Sequence, residues 1–297
     1  MLTIFTPTYN RAHLLPRLYQ SLLLQDCFDF EWLVIDDGST DGTGDLFQDW
    51  IESTSEFRIR YFRVPNGGKQ RAVNLGVELA EGEYFFIVDS DDALTTDSVS
   101  FTIKAFDTIP SDTSYIGVSG LRGDMCGRPL SRPTVGDATW VDASNLERDR
   151  YGLKADMAEA FFTDKLKKYP FPVWESETFT PEAVVWDRMA LDGYKLRWFN
   201  RVTYLCEYQP NGLTHSSWKL LKENPMGFAL LFNVKLESEK SLRRRINLVS
   251  QYDSCCFLAR KIGLIMDCVF PHIAIALSPV GFFLSLRRKY QFIRRHA

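Results

Sequence analysis

The chain opens on short apolar runs that alternate with helical spacings. Residues 2–6 form a strand-length apolar run, and residues 12–24 follow with Leu14, Leu15, Leu18 and Leu22 on one helical face. Pro16 falls in the opening turn of that helix, where its missing N–H is tolerated. Residues 31–36 carry Trp32, Leu33, Val34 and Ile35 and predict a second, buried strand. Residues 59–64 predict a third, and Ala72, Leu75, Gly76 and Leu79 then recur at helical spacing. Residues 84–89 predict a fourth strand, apolar throughout, as strands covered on both faces are. Such alternation predicts an α/β domain with a mostly parallel central sheet and helices on both faces.

The pattern loosens after residue 110. Residues 113–211 hold many aromatics, several prolines and scattered carboxylates, which suits a variable half built on a few more strands. Residues 241–260 are helix-like and open on Arg243-Arg244-Arg245. Residues 262–286 are strongly apolar but contain Asp267, Pro271, His272 and Pro279, which argue against one clean membrane span. Two shorter helices lying in a membrane interface, anchored by Arg287-Arg288-Lys289, fit this segment; a helical appendage packed on protein is the alternative. The expected organisation is a catalytic domain over residues 1–215, split into halves at 1–110 and 111–215, and a C-terminal helical region over 216–297.

Candidate chemistry gathers where strands end, the edge at which parallel sheets bind ligands. Asp89-Ser90-Asp91-Asp92 puts three carboxylates at the tip of a buried strand. Mutual repulsion and burial oppose their ionisation unless a cation is near, and oxygen ligands suit Mg2+ or Mn2+; an Asp-rich capping turn is the plainer reading. Asp36-Asp37-Gly38-Ser39-Thr40-Asp41-Gly42 ends the second strand in a turn. A carboxylate there suits a base N–H or a ribose hydroxyl, and Asp41 suits a helix cap. Asn66-Gly67-Gly68-Lys69-Gln70-Arg71 places two cations at a helix start, which suits phosphate. The glycine-rich P-loop and the GxGxxG pattern are both absent.

Taken in order, Thr6-Pro-Thr-Tyr-Asn-Arg11, Val34-Ile-Asp-Asp-Gly-Ser-Thr-Asp-Gly42, Asn66-Gly-Gly-Lys69 with Asn74-Leu-Gly76, and Gly82-Glu-Tyr84 leading into Val88-Asp-Ser-Asp-Asp92 resemble the family-2 glycosyltransferases. The resemblance is close over the first 110 residues and looser to about 215. It implies the GT-A fold, a Rossmann-like sheet, and an inverting transfer of a sugar from a nucleotide-sugar donor, usually UDP-linked. The acceptor would be a glycan or a lipid-linked molecule in cell-surface polysaccharide synthesis. It also implies that Thr6, Pro7 and Tyr9 line the nucleotide pocket, that Asp36 meets the base, and that Lys69 and Asn74 lie near the donor. Asp89, Ser90, Asp91 and Asp92 would form the DxD-type element, with Asp91 the first choice as metal ligand, joined by Asp92 and His215. The general base expected before an apolar helix falls on Glu182 in Thr180-Pro181-Glu182-Ala183, where Pro181 replaces the first acid of the usual pair. Glu175, Glu177 and Asp187 are rivals. Arg188 is either a helix-face ion-pair partner or a phosphate contact.

Composition narrows this little. The apolar fraction of 45% and charged fraction of 25% are ordinary for a globular protein, and a net charge of −3 argues against a nucleic-acid partner. Six cysteines with no metal-ligand spacing read as buried free thiols. The first residues already read as a strand rather than a leader, so a cytoplasmic protein is expected, peripheral on the inner face of the membrane. Two other classes of protein would carry different marks. A sugar nucleotidyltransferase would carry a glycine-rich basic loop near residues 6–11. A non-catalytic carbohydrate-binding or membrane-assembly protein is favoured only by Pro181.

Overall fold

A computed structural model describes residues 1–110, 113–131, 139–154, 156–207 and 217–294. The chain forms two units, residues 1–170 with 192–207 and residues 171–191 with 208–297. Segment 171–191, expected with the rest of the 111–215 half, groups instead with the C-terminal helices.

The first unit holds β1 (Leu2–Thr8), α1 (Leu15–Leu23), β2 (Phe30–Asp36), α2 (Thr43–Ser53), β3 (Arg58–Arg63), α3 (Lys69–Leu79) and β4 (Tyr84–Ile87). It continues through β5 (Ala93–Leu94), α4 (Ser98–Asp107), β6 (Tyr115–Gly123), β7 (Trp140–Ala143), β8 (Met157–Phe162), α5 (Thr163–Leu166) and β9 (Lys195–Leu205). The sheet order is β3-β2-β1-β4-β8-β6-β9-β5, with β7 also on β9. From β3 to β4 every pairing is parallel, which brings the carboxyl ends of the four predicted strands to one edge. Beyond β4 the sheet is mixed: β8 runs antiparallel to both β4 and β6, and β9 parallel to β6.

Period-two alternation sends Ile4, Trp32, Val34 and Phe86 to one face, where Leu15, Leu18 and Leu22 of α1 and Phe47 of α2 complete the core. Phe5 points to the other face, stacked on Phe85 with ring centroids 5.1 Å apart. Gly76 of α3 lies directly on that ring, and a Cβ there would fall inside the van der Waals radius of Phe5. Gly76→Ala is therefore expected to destabilise by about 1–3 kcal/mol through overpacking, although Ala is the better helix former by about 1 kcal/mol. A urea titration checks this.

The second unit is helical: α6 (Ala183–Leu191), α7 (Ser217–Glu223), α8 (Pro225–Ser238), α9 (Leu242–Leu258), a 3-10 turn at Ile262–Asp267, and α10 (Pro271–Arg294). Ala229, Val249, Cys255, Cys256 and Ala274 form its core. The two short helices expected after residue 262 are in fact one 3-10 turn and one 24-residue helix with Pro279 inside it. Pro279 leaves the Ile275 carbonyl without its helical donor, and the Ser278 hydroxyl supplies one at 2.9 Å. No helix among the described residues is long and apolar enough to cross a membrane. The cysteines are free thiols, but only Cys255, Cys256 and Cys268 are buried, and Cys126 is exposed.

Candidate active site

The strand-end loops are tied to one another in sequence order. Asn10, in the left-handed conformation at φ 52° that Asn tolerates, donates its N–H to Ser39 Oγ at 2.8 Å and accepts the Thr40 N–H at 2.8 Å. Asp41 accepts the Ala12 N–H at 2.9 Å, and its other oxygen accepts the Thr43 N–H and hydroxyl at the start of α2, although the cap position itself falls on Gly42. The loop after β2 is tied to the loop after β3 by Asp37, whose carboxylate accepts the Gly67 and Gly68 N–H groups at 2.7 and 2.8 Å. At Gly38, with φ at 84°, a Cβ would come 3.1 Å from the Asn66 nitrogen, so the turn requires glycine twice over. The loop after β3 then meets the end of β4 through Lys69, at the first position of α3, whose Nζ lies 2.7 Å from Asp89 Oδ1.

Within Asp89-Ser90-Asp91-Asp92 the three carboxylates have different environments. Burial alone would raise the Asp89 pKa, but Lys69 and the nearby guanidinium of Arg122 overcome it and hold the group below the usual carboxylate range. Asp92 is 5% exposed, and burial together with the Asp89 charge pushes it up to about 7. Its Oδ2 accepts the Tyr204 hydroxyl at 2.7 Å, and that hydroxyl in turn accepts the Asp89 N–H at 2.9 Å. Burial keeps the Tyr204 phenol well above its ordinary range, so it stays a donor. Arg122 lies 4.2 Å over the Tyr204 ring and 3.7 and 3.8 Å from Asp89 and Asp92. Asp91 differs from both neighbours. Arg17 donates to its backbone oxygen, but its carboxylate makes no hydrogen bond or ion pair with the described residues.

The other expected residues are distributed as follows. Thr6 is fully buried and accepts the Trp32 indole N–H at 3.0 Å. Pro7 is buried beside it on β1, and Tyr9 is 49% exposed. Asp36 is fully buried; one oxygen accepts the Ser39 N–H and hydroxyl at 2.8 and 2.5 Å, and the other accepts the Tyr61 hydroxyl. The sheet edge presents Asp36 inward and Asp37 to the adjoining loop. Asn74 is half-buried on α3, and Ser90 is buried. Glu182 belongs to the second unit, and His215 lies outside the described residues. Arg188 is a structural ion-pair partner, bound at 2.9 and 2.7 Å to both oxygens of Glu237. Sequence reasoning missed Arg122, Tyr204, Asp37 and Arg17. Arg122 is the one a pattern could have flagged, as a lone cation in the apolar strand Tyr115–Gly123.

A metal fits this donor set sparingly. Among the described residues no three His, Cys, Asp or Glu side chains gather as a ready-made cage. Mg2+-type ions commonly take one or two carboxylates and complete their shell with substrate phosphates, and Asp91 is a carboxylate left available for that.

A parallel α/β sheet with a strand-end DxD element, loops clasped around it and a cationic helix start is the layout of the GT-A fold. Residues 3–125 match the model of glycosyl transferase family 2. The chain is 36% identical over 106 residues to a chondroitin synthase of Pasteurella multocida, a match covering 36% of this chain and 11% of that protein. It spans about a fifth, 19%, of the first curated relative it matches. Two solved structures show the same fold over nearly the whole chain. Staphylococcus aureus TarS 1–349 in complex with UDP-GlcNAc matches with TM-score 0.63 and 17% identity over 98% of this chain and 91% of TarS. A mannosyltransferase of Pyrobaculum calidifontis in complex with GDP-Man and Mn2+ gives 0.58 and 19% over 98% and 82%.

Proposed function

We propose that the protein is an inverting, metal-dependent glycosyltransferase that takes a sugar from a UDP-linked donor and delivers it to a glycan or lipid-linked acceptor in cell-surface polysaccharide synthesis. The contrast among the three aspartates carries this reading. Asp89 and Asp92 are neutralised from within the protein, by Lys69, Arg122 and Tyr204, and Asp91 is not. Asp91, with Asp92 beside it, would hold Mn2+ or Mg2+ against the donor diphosphate. When bound, the ion offsets charge on the departing nucleoside diphosphate.

The remaining roles fall to the chain itself. Tyr9 and the loop that Thr6 and Pro7 lead into border the nucleotide, the turn held by Asp36 and Asp37 faces its base and ribose, and Lys69 and Asn74 attend the donor, with Thr6 and Asp36 placing these loops from buried positions. Glu182 accepts the proton of the acceptor hydroxyl. The oxygen then bonds to the anomeric carbon as the bond from that carbon to the diphosphate oxygen breaks. The nucleoside diphosphate leaves with the bonding pair, and the proton remains on Glu182.

Calorimetry with UDP, with and without Mn2+, tests the donor side. UDP binding should tighten with Mn2+, and Asp91→Ala should remove that tightening by more than the ~10–100-fold typical of outer-shell partners of metal sites. UDP release from a panel of UDP-sugars then identifies the sugar. No UDP binding under either condition, or full metal linkage in Asp91→Ala, overturns the assignment.

A further inference from the structure

The opposite end of the chain carries a surface that sugar transfer does not use. Helix α10 packs on α9, with Gly281 against Asp253, and buries Ala274, Ser285 and Phe292 along the same side, Phe292 beside Trp218 of α7. Its other side exposes Ile275, Phe283, Leu286, Tyr290 and Ile293, at 49%, 68%, 43%, 54% and 69% of their surface. Successive spacings of eight, three, four and three residues hold these five on one stripe of a 3.6-residue helix, about 27 Å long at 1.5 Å per residue. Single exposed apolar side chains are common on protein surfaces, but an ordered stripe of this length is not.

The cations are placed with the stripe. Arg287 and Arg294 each follow a stripe residue by one position, and Lys289 precedes Tyr290 by one, so positive charge flanks the apolar side chains on both sides. All three are exposed. Arg288 is not part of this set: its guanidinium turns inward to the Ser254 hydroxyl at 3.0 Å and to Gln251 on α9. Helix α10 contains no Asp or Glu, and residues 241–294 carry nine Lys and Arg against two Asp, in a chain of net charge −3.

We propose that this stripe seats the protein on an anionic lipid bilayer, with α10 lying in the interface plane, its apolar side chains below the headgroups and Arg287, Lys289 and Arg294 among them. Long cationic side chains suit that position, because their stems cover apolar surface while the charge stays with phosphate. A second copy of the chain fits less well. Pairing α10 with itself would set cation against cation with no acidic residue on the helix to relieve the repulsion.

The test is flotation of the full chain with vesicles of phosphatidylcholine alone or mixed with phosphatidylglycerol, at low and high salt, alongside light scattering of the free protein. The chain should float only with the mixed vesicles and be released by salt. Arg287→Gln/Lys289→Gln/Arg294→Gln should weaken binding on the order of 100-fold, at about fivefold per cation near an anionic surface. Phe283→Ser/Leu286→Ser should weaken it about tenfold or more per side chain. Both sets of changes lie on the exposed side, and thermal melting confirms that α9 and α10 remain packed. Absence of flotation, equal flotation with neutral vesicles, or a free dimer that Phe283→Ser/Leu286→Ser converts to a monomer overturns the proposal. No sugar transfer is read, so failure here leaves the donor-site reading standing.

Discussion

Glu182→Gln is expected to lower turnover by about 10²–10⁴-fold, the usual worth of a positioned general base, while leaving Mn2+-linked UDP binding unchanged. The second unit's own packing supports this. Glu182 stands at the threshold of α6: its carbonyl accepts the Val185 and Trp186 N–H groups at 3.0 and 3.2 Å, and the Pro181 carbonyl accepts the Val184 N–H at 3.0 Å. Pro181 therefore suits a helix start, where a missing N–H goes unmissed. The segment before it is clamped to α8. The buried Glu177 carboxylate accepts the Met226 and Gly227 N–H groups at 2.8 and 2.9 Å, and Asn224 Oδ1 accepts those of Thr178 and Phe179 at 2.8 and 2.9 Å. A Cβ on Gly227 would lie 2.6 Å from the Phe179 carbonyl, so this approach is backbone on backbone. A base needs such a rigid support.

The same contacts separate Glu182 from one of its three rivals, Glu177. Both Glu177 oxygens are committed to the α8 N-terminus, so Glu177→Gln should lower the melting temperature and spare turnover. Turnover retained in Glu182→Gln, or lost in a stably folded Glu177→Gln, would move the base elsewhere. Steady-state kinetics with UDP release as the readout, beside calorimetry on the same preparations, distinguishes these outcomes.

How much of this was legible in the chain depends on which physical signal each residue leaves. The first four strands were, because burial on both faces writes them as unbroken apolar runs such as Trp32-Leu33-Val34-Ile35. The Asp89-Ser90-Asp91-Asp92 loop was legible because carboxylates at the tip of such a run stand out against it. Tyr204 was not, and Arg122 was legible only as a lone cation in an apolar run, with nothing to say what it meets. They reach Asp89 and Asp92 from β6 and β9, elements whose pairing includes register shifts between Tyr115 and Gly117 and again around Leu121. A strand with such irregularities breaks the period-two pattern from which an inward residue is read. The Asp36–Asp37 pair shows a finer limit. Both look equally available in the sequence, and only the turn geometry commits Asp36 to Ser39 and Tyr61 and Asp37 to the Gly67 and Gly68 amides. Pro279 misled for a local reason, since a neighbouring serine hydroxyl satisfies the carbonyl it strands.

Asp253→Asn is expected to stabilise the protein at pH 8, by on the order of 4 kcal/mol, and to lose that advantage as the pH falls toward 4. Asp253 is fully buried on α9 and neither carboxylate oxygen has a hydrogen-bond partner among the described residues. It sits where α10 crosses so closely that a Cβ on Gly281 would overlap its own Cβ, leaving no room for a bridging side chain at that point. Burial raises its pKa from 3.8 to about 7. The sign follows from proton counting. Between 3.8 and about 7 the unfolded chain has lost this proton and the folded chain keeps it, so stability falls as pH rises through that window and levels off above it. Each pH unit contributes about 1.4 kcal/mol, which over about three units gives the stated size. Asn is isosteric and neutral at every pH, so its melting curve should be flatter from pH 4 to 8 and higher at the alkaline end by roughly 10 °C. Parallel pH dependence of wild type and Asp253→Asn would show that Asp253 titrates as an ordinary surface carboxylate. Because α9 supports the face of α10 opposite the exposed stripe, the same substitution should leave vesicle binding intact while hardening the helix pair against base. The stability of the support and the chemistry of the surface would then prove separable.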